Sequence, residues 1–196
     1  MIMLNLRKPK IMKTVSFILF LIVFSHTLYS QNDIFPIDST TGKITYTEVV
    51  KVDSVNSQEL YVRAHSWFAH TFVSAQDVIQ LDDKDAGMIF GKGTFSVSDN
   101  VVNPTMMDVH ISGIVDFAIE VQTKDGRYKY VFTDLSFKLL GMKENDLRSS
   151  TISASGTYKK KMNMRWQEVR QNTNATILSI IFSLKHAMTA NNDYKW

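Results

Sequence analysis

Three aspartates crowd ahead of a glycine, at Asp82, Asp83, Asp85 and Gly87. A calcium loop begins with spaced carboxylates of this kind, but it needs a bidentate glutamate at its twelfth position. Counted from Asp83, that position is Thr94, so the run reads as turn chemistry. Gly87-Met88-Ile89-Phe90-Gly91-Lys92-Gly93 superficially resembles a phosphate loop. That motif needs four residues between its glycines, then Lys with Ser or Thr, at the start of a helix. Here three residues intervene, Gly93 follows Lys92, and the segment alternates like a strand. His65 and His70 share one helical pattern at a spacing of five, which turns them about 140° apart. Zinc ligands on one helix face want a spacing of four, so the pair reads as non-metal. His110 reads as a half-buried strand residue and His186 as a residue of the tail helix. No Gly-x-Ser-x-Gly occurs, which removes one signature of nucleophilic catalysis. Asp108 and Asp116, or Asp116 and Glu120, fall at even spacing and so on one face of a strand. Without a pocket to desolvate them they read as solvated acids rather than an acid/base pair.

One charged feature fits its surroundings poorly. Lys159, Lys160 and Lys161, with Arg165, stand at the start of the tail helix beside Tyr158 and Trp166. Positive charge is unfavourable at a helix N-terminus, so these four are the candidate contact with an anionic surface, such as a membrane. No metal, cofactor or catalytic residue is expected anywhere in the chain.

The elements that would position these residues follow from periodicity. Lys43–Val52 alternates and is β-branched, a strand. Asn56 with Glu59 has the spacing of a capping box, and Leu60, Ala64, Trp67, Phe68 and Thr71 recur at helical spacing to about Phe72. Strands follow at Val78–Leu81, Met88–Val97, Met107–Val121 and Arg127–Leu139, with Gly91 and Gly93 expected to mark a bulge or bend. Asp125-Gly126 is the two-residue tip of a tight hairpin. Gly141–Gly156 reads as a flexible loop with some pairing near Thr151–Ser153. A helical stripe then runs from Met162 to Met188, and polar Gln171–Asn174 interrupts it as a kink or a break between two helices. The order strand, helix, four strands, helix implies an α+β domain: an antiparallel sheet of about five strands with helices packed on one face.

The run Gly42-Lys43-Ile44-Thr45-Tyr46 with Glu48-Val49-Val50, then Leu60-Tyr61, Arg63-Ala64 and Trp67, the Gly126-Arg127-Tyr128 hairpin and the terminal Trp196 resemble the family of domain of unknown function 4468. The resemblance covers roughly Phe35 to Leu139. It implies a TBP-like fold and a place among exported bacterial proteins. It implies no activity, and a fold name does not carry function.

Residues 1–30 carry Arg7, Lys8, Lys10 and Lys13 with no acid, then an apolar run Val15–Phe24 broken only by Ser16, then small and polar residues to Ser30. This is the pattern of a secretory signal, with cleavage expected after Ser30 and Met1 or Met12 as its start. The apolar run is about half of the roughly 20 residues a spanning helix needs. The chain has no cysteine, so disulfides and a lipid-modified cysteine are excluded. Cleavage would turn a net charge of +3 into −1, with 18 basic against 19 acidic residues. The high isoelectric point then belongs to the signal and gives no support for nucleic-acid binding. What remains reads as a leader over 31–41 and a single domain over 42–196, with its core at 42–140, a loop at 141–157 and a helical segment at 158–190.

The functional expectation is an exported, periplasmic or secreted protein of the cell envelope, a non-catalytic interaction or structural module. Its partner would be an unknown envelope protein, with peripheral membrane contact as a further option and no nucleic acid. The alternative is a carrier holding a small apolar ligand between the sheet and the C-terminal helix. An enclosed apolar cavity there would favour the carrier, and a filled core the module.

Overall fold

A computed structural model describes residues 34–72, 74–101, 108–139, 144–152 and 156–190. The expected signal segment lies outside the described residues. The hairpin that organises the sheet forms where alternation is longest. Strands β4 (Ser112–Lys124) and β5 (Arg127–Leu139) meet at Asp125-Gly126, where Gly126 holds a positive φ of 71°, a conformation glycine adopts without steric cost. β1 (Tyr46–Lys51) pairs on the outer side of β5. β3 (Met88–Ser98) pairs on the far side of β4, and β2 (Ile79–Asp83) closes that edge. The order is β1-β5-β4-β3-β2, all antiparallel, and a two-residue β6 (Glu144–Asn145) adds to β5 beyond the end of β1. Helix α1 (Ser57–Thr71), a single turn α2 (Ala75–Val78) and a long α3 (Lys159–Thr189) complete the chain.

Both long helices pack on one face of the sheet. Alternation sends Val115, Phe117, Ile119 and Val121 of β4 and Tyr128, Tyr130 and Phe132 of β5 to that face, where all are buried. Phe117 stacks on Phe132 with ring centroids 4.6 Å apart. From α1, Leu60, Ala64, Trp67 and Phe68 meet them; from α3, Trp166, Val169, Thr173, Ile177, Ile181, Leu184 and Met188, each 0–5 % exposed. The helices are stitched together: Trp67 Nε1 donates to Ser183 Oγ at 2.9 Å, and the buried Arg63 guanidinium donates to the Met188 carbonyl at 2.8 Å. A cation at the carboxyl end of a helix also complements its dipole. Asn56 caps α1 as its spacing predicts, accepting from the Glu59 N–H at 2.8 Å, while the Glu59 carboxylate turns to Arg63 at 2.9 Å.

Several expectations are corrected. The polar stretch Gln171–Asn174 does not break α3, which is one continuous helix of 31 residues. Thr173 bonds back to the Val169 carbonyl, Asn172 donates to the Ser98 carbonyl, and Asn174 accepts from Tyr46. These three side chains thus find partners without unwinding the helix, and Gln171 faces solvent. Gly91 and Gly93 sit in unbroken register with β4; they are glycines because a Cβ would lie 2.8 Å from the Phe68 ring and 2.6 Å from the Phe117 ring. One bulge does lie opposite Gly91, between Ile79 and Leu81 in the partner strand β2, and the other is at Asp134-Leu135 in β5. Val78 ends α2 rather than opening a strand, and Asp82 and Asp83 belong to β2 rather than to the turn. Pairing after β5 occurs at Glu144–Asn145, not near Thr151. Ordered structure also begins upstream of Gly42: Phe35 is 2 % exposed and Ile37 bridges Ile44.

Candidate functional site

The structure scatters the residues that first suggested chemistry. Asp82 points to the helix face, where it accepts the Tyr61 hydroxyl and lies 3.3 Å from His65 Nε2. Burial first, then the Asp82 hydrogen bond, pushes Tyr61 up to about 12. Asp83 accepts the Ala86 N–H and shapes the β2–β3 turn. His70 closes the exposed end of α1, and His186 is exposed on the last turns of α3. His110 precedes β4 instead of lying in it. Its Nδ1 is 2.6 Å from Asp99 Oδ1, and Asp99 also accepts the Ile111 N–H at 2.7 Å, pinning both ends of the β3–β4 connection. That demand on the backbone explains why β4 starts at Ser112. Among the described residues no three His, Asp or Glu side chains gather closely enough to hold a metal ion.

Asp116 and Glu120 do share the sheet face away from the helices. They are four residues apart on a strand, roughly 13 Å. Asp116 is held by Lys138, and Glu120 by Gln122 Nε2 at 2.6 Å. Asp108 lies before the strand and pairs with Lys161 at 3.0 Å. These three carboxylates are therefore not a catalytic pair.

The lysine run at the start of α3 divides. Lys161 is taken by Asp108, and Arg165 by Glu168 at 3.1 Å; Lys159 and Lys160 remain exposed. Tyr158, the residue before the helix, makes no side-chain cap, so the misfit with the helix dipole stands at those two lysines.

Two features on the open sheet face were not read from the linear sequence. The first is a cleft of about 1000 Å³ at the β5 bulge, lined by Lys43, Lys92, Asp116, Ala118, Asp134 and Arg148 among others. Asp134 adopts a positive φ of 54° there, and the strand bends. Its charges are mostly paired: Lys43 to Asp134 at 2.7 Å, Arg148 to Asp146 at 2.7 Å. The Arg148 guanidinium, gripping both Asp146 oxygens, holds that carboxyl below its usual range. Paired charges around a wide, solvent-open hollow can hold polar groups.

The second is a row of cations at the hairpin end. Register places Lys51 opposite Arg127 and Arg127 opposite Lys124. Lys129 follows two residues along β5 on the same face. All four are exposed, and among the described residues none has an ion pair or hydrogen bond. Like charges directly opposite across strands are destabilising. The sequence signal that reaches them is strand register: once Asp125-Gly126 is a two-residue tip, Lys124 must face Arg127.

A family profile described as a domain of unknown function (DUF4468) with TBP-like fold matches residues 46–138. Over that stretch the chain is similar to the DUF4468 family. A crystal structure of a DUF4468 family protein from Bacteroides ovatus superposes with a TM-score of 0.62 at 15 % identity, covering 83 % of this chain and 94 % of that one. A TBP-like protein from Parabacteroides distasonis gives a TM-score of 0.51 at 14 % identity, covering 78 % and 97 %. At such identity the likeness is one of fold. No curated protein matches. The DUF4468 match spans β1 to β5 and therefore contains all four residues of the cation row, whereas the α3 lysines lie beyond it.

Proposed function

We propose that this chain is a non-catalytic interaction module of the cell envelope, exported by its N-terminal segment and working through the open face of its sheet. One observation carries the reading: the two faces of the sheet are unequal. The helix face is filled, with Ile177, Leu184 and Met188 of α3 fully buried against it. Among the described residues the other face carries no helix, and it presents the cleft, the cation row and the exposed side chains of Val49, Leu81 and Ile114. Exposed apolar side chains beside unpaired charge are what a recognition surface offers. The carrier reading needs a cavity between α3 and the sheet, and the full burial of Ile177, Leu184 and Met188 there favours the module instead. The basic-then-apolar start supports export.

Photocrosslinking in the producing cell tests the reading. A photoreactive amino acid in place of Val49, on the open face, is expected to give adducts with protein or lipid. The same group in place of Phe182, 71 % exposed on the helical side, is expected to give none. Adducts from Phe182 alone would overturn the assignment of the working face.

A further inference from the structure

We infer that the row Lys51–Arg127–Lys124, with Lys129, docks this domain on an anionic phospholipid bilayer. The inference rests on the open face being the working face, and it names what that face meets. Three neighbouring strands each put a cation in one line, at the roughly 4.8 Å spacing of strands, and a fourth cation stands one step away. Lys84, Lys92, Lys159 and Lys160 are exposed cations outside the row, but none of them is joined to another cation across paired strands. Lys43, Lys138, Lys161 and Lys185 all reach carboxylates, and the row does not.

The nearby acids keep their charge: Asp53, two residues from Lys51, is exposed, and three others accept hydrogen bonds from neutral donors, so among the described residues none forms an ion pair with the row. Asp125 accepts the Ser57 N–H at 2.8 Å, Glu120 accepts from Gln122, and Asp83 accepts from Ala86.

The shape favours a plane over a pocketed ligand. Register is regular where β1, β5 and β4 carry the four cations, since the β5 bulge falls further along at Asp134-Leu135. None of the four cations lines the cleft, so no wall grips a peptide or a single anion. The next rows of the same face mix apolar side chains with Gln122, Glu120 and Thr47. Val49 lies beside Lys129 and is 56 % exposed, Leu81 is 44 % exposed, and Val131, Phe90 and Met88 are half-buried. Cations at the headgroups with short apolar side chains beside them suit a bilayer surface. Lys159 and Lys160 lie at the other end of the strands, where α3 meets Ser98 and Asn100, and so provide an internal control.

The test is cosedimentation of the protein, as it exists after export, with vesicles of phosphatidylcholine containing about a third phosphatidylglycerol, against pure phosphatidylcholine. Binding to the anionic vesicles only, weakened by salt, is expected. At about fivefold per charge, K51E/K124E/R127E/K129E should lower the partition coefficient at least a hundredfold. K159E/K160E should change it less than about twofold. All four substituted positions are exposed, and an unchanged thermal midpoint confirms the fold; the milder K51Q/R127Q pair gives a second reading, about twenty-fivefold. No binding to the anionic vesicles, or a loss that follows Lys159 and Lys160, overturns the inference. If vesicles fail while Val49 still crosslinks to a protein, only the lipid assignment falls. If Val49 is silent and binding follows the α3 lysines, the open-face reading falls with it.

Discussion

The Tyr46 hydroxyl donates to Asn174 Oδ1 at 2.6 Å, joining β1 to the middle of α3 across 128 residues of sequence. Burial pushes the Tyr46 hydroxyl well above its usual value, which keeps it a donor. The bond explains why polar residues interrupt the apolar stripe of α3. Helix and sheet edge meet there through a hydrogen bond, and an apolar side chain at 174 would leave the tyrosine oxygen unpaired. Asn174→Ala is expected to cost about 1–2 kcal/mol for that reason. Tyr46→Phe removes the orphan, so the double variant should lose less than the sum of the singles. Urea denaturation of the four proteins measures the coupling; strict additivity would mean that the bond contributes nothing.

Gly113 is the second residue of β4, where another strand and a ring press on it. A Cβ there would sit 2.5 Å from the Lys138 carbonyl oxygen and 2.6 Å from Cζ of Phe137. The carbonyl belongs to a paired strand and cannot turn aside, so overpacking should apply in full. Gly113→Ala is expected to lose about 1–3 kcal/mol, read from the urea midpoint. A variant as stable as the parent would mean that β4 and β5 are not joined this closely at that end.

Trp166 is fully buried, packs edge-on against Phe137 with centroids 5.1 Å apart, and donates to the Ser149 carbonyl at 2.9 Å. It therefore holds the segment after β6 as well as the core. Trp166→Ala should cost about 3–5 kcal/mol. Trp166→Phe keeps most of the apolar contact and frees only the carbonyl. In that variant the amides of residues 147–152 should lose hydrogen-exchange protection while those of β4 keep theirs. Equal loss in both places would show that the tryptophan acts on the core alone.

Local signals and tertiary ones differ in what the linear sequence exposes. The β4–β5 hairpin was legible because alternation and an Asp-Gly tip act over a few residues; Arg127–Leu139 is a strand as expected. The Asn56 cap was legible for the same reason. The continuity of α3 was not, because Asn172 and Asn174 are satisfied by Ser98 and Tyr46, which are distant in sequence. Nor were the roles of Gly91 and Gly93, set by aromatic rings on α1 and β4 rather than by their own strand. The basic run at Lys159–Lys161 drew attention because it is contiguous. The cation row is assembled from β1, β4 and β5, so composition along the chain dilutes it.

Glu48 should respond to pH through Lys185. The hydrogen bond from the Lys185 ammonium holds the carboxyl below its usual value of 4.5, burial opposes this, and the Tyr130 hydroxyl, at 3.1 Å, adds to the lowering. A carboxyl with a lowered value in the fold binds protons less readily than in the unfolded chain. Its stabilisation is complete above about 4.5 and disappears as the pH falls through the folded value. The side chain is 46 % exposed, so the contribution is small and weakened by salt. Carboxyl carbon NMR should place Glu48 below an ordinary glutamate, and Lys185→Met should return it most of the way. A titration that Lys185→Met leaves unmoved would assign the lowering to another group.

Export decides the sign of the charge that the folded domain carries. Residues 1–30 contribute four cations and no acid, so the full chain at +3 becomes −1 once they are removed. A molecule at −1 has no long-range attraction to an anionic surface, and its docking must come from charge concentrated at one place, as in the cation row. A molecule at +3 would be drawn by its N-terminal segment as well, and charge reversal at Lys51, Lys124, Arg127 and Lys129 would then matter far less. Mass spectrometry of protein recovered from the producing cells should therefore find Gln31 at the N-terminus. Recovery of the chain still beginning at Met1 or Met12, in the cytosolic fraction, would refute export and transfer the electrostatic argument to the N-terminal segment.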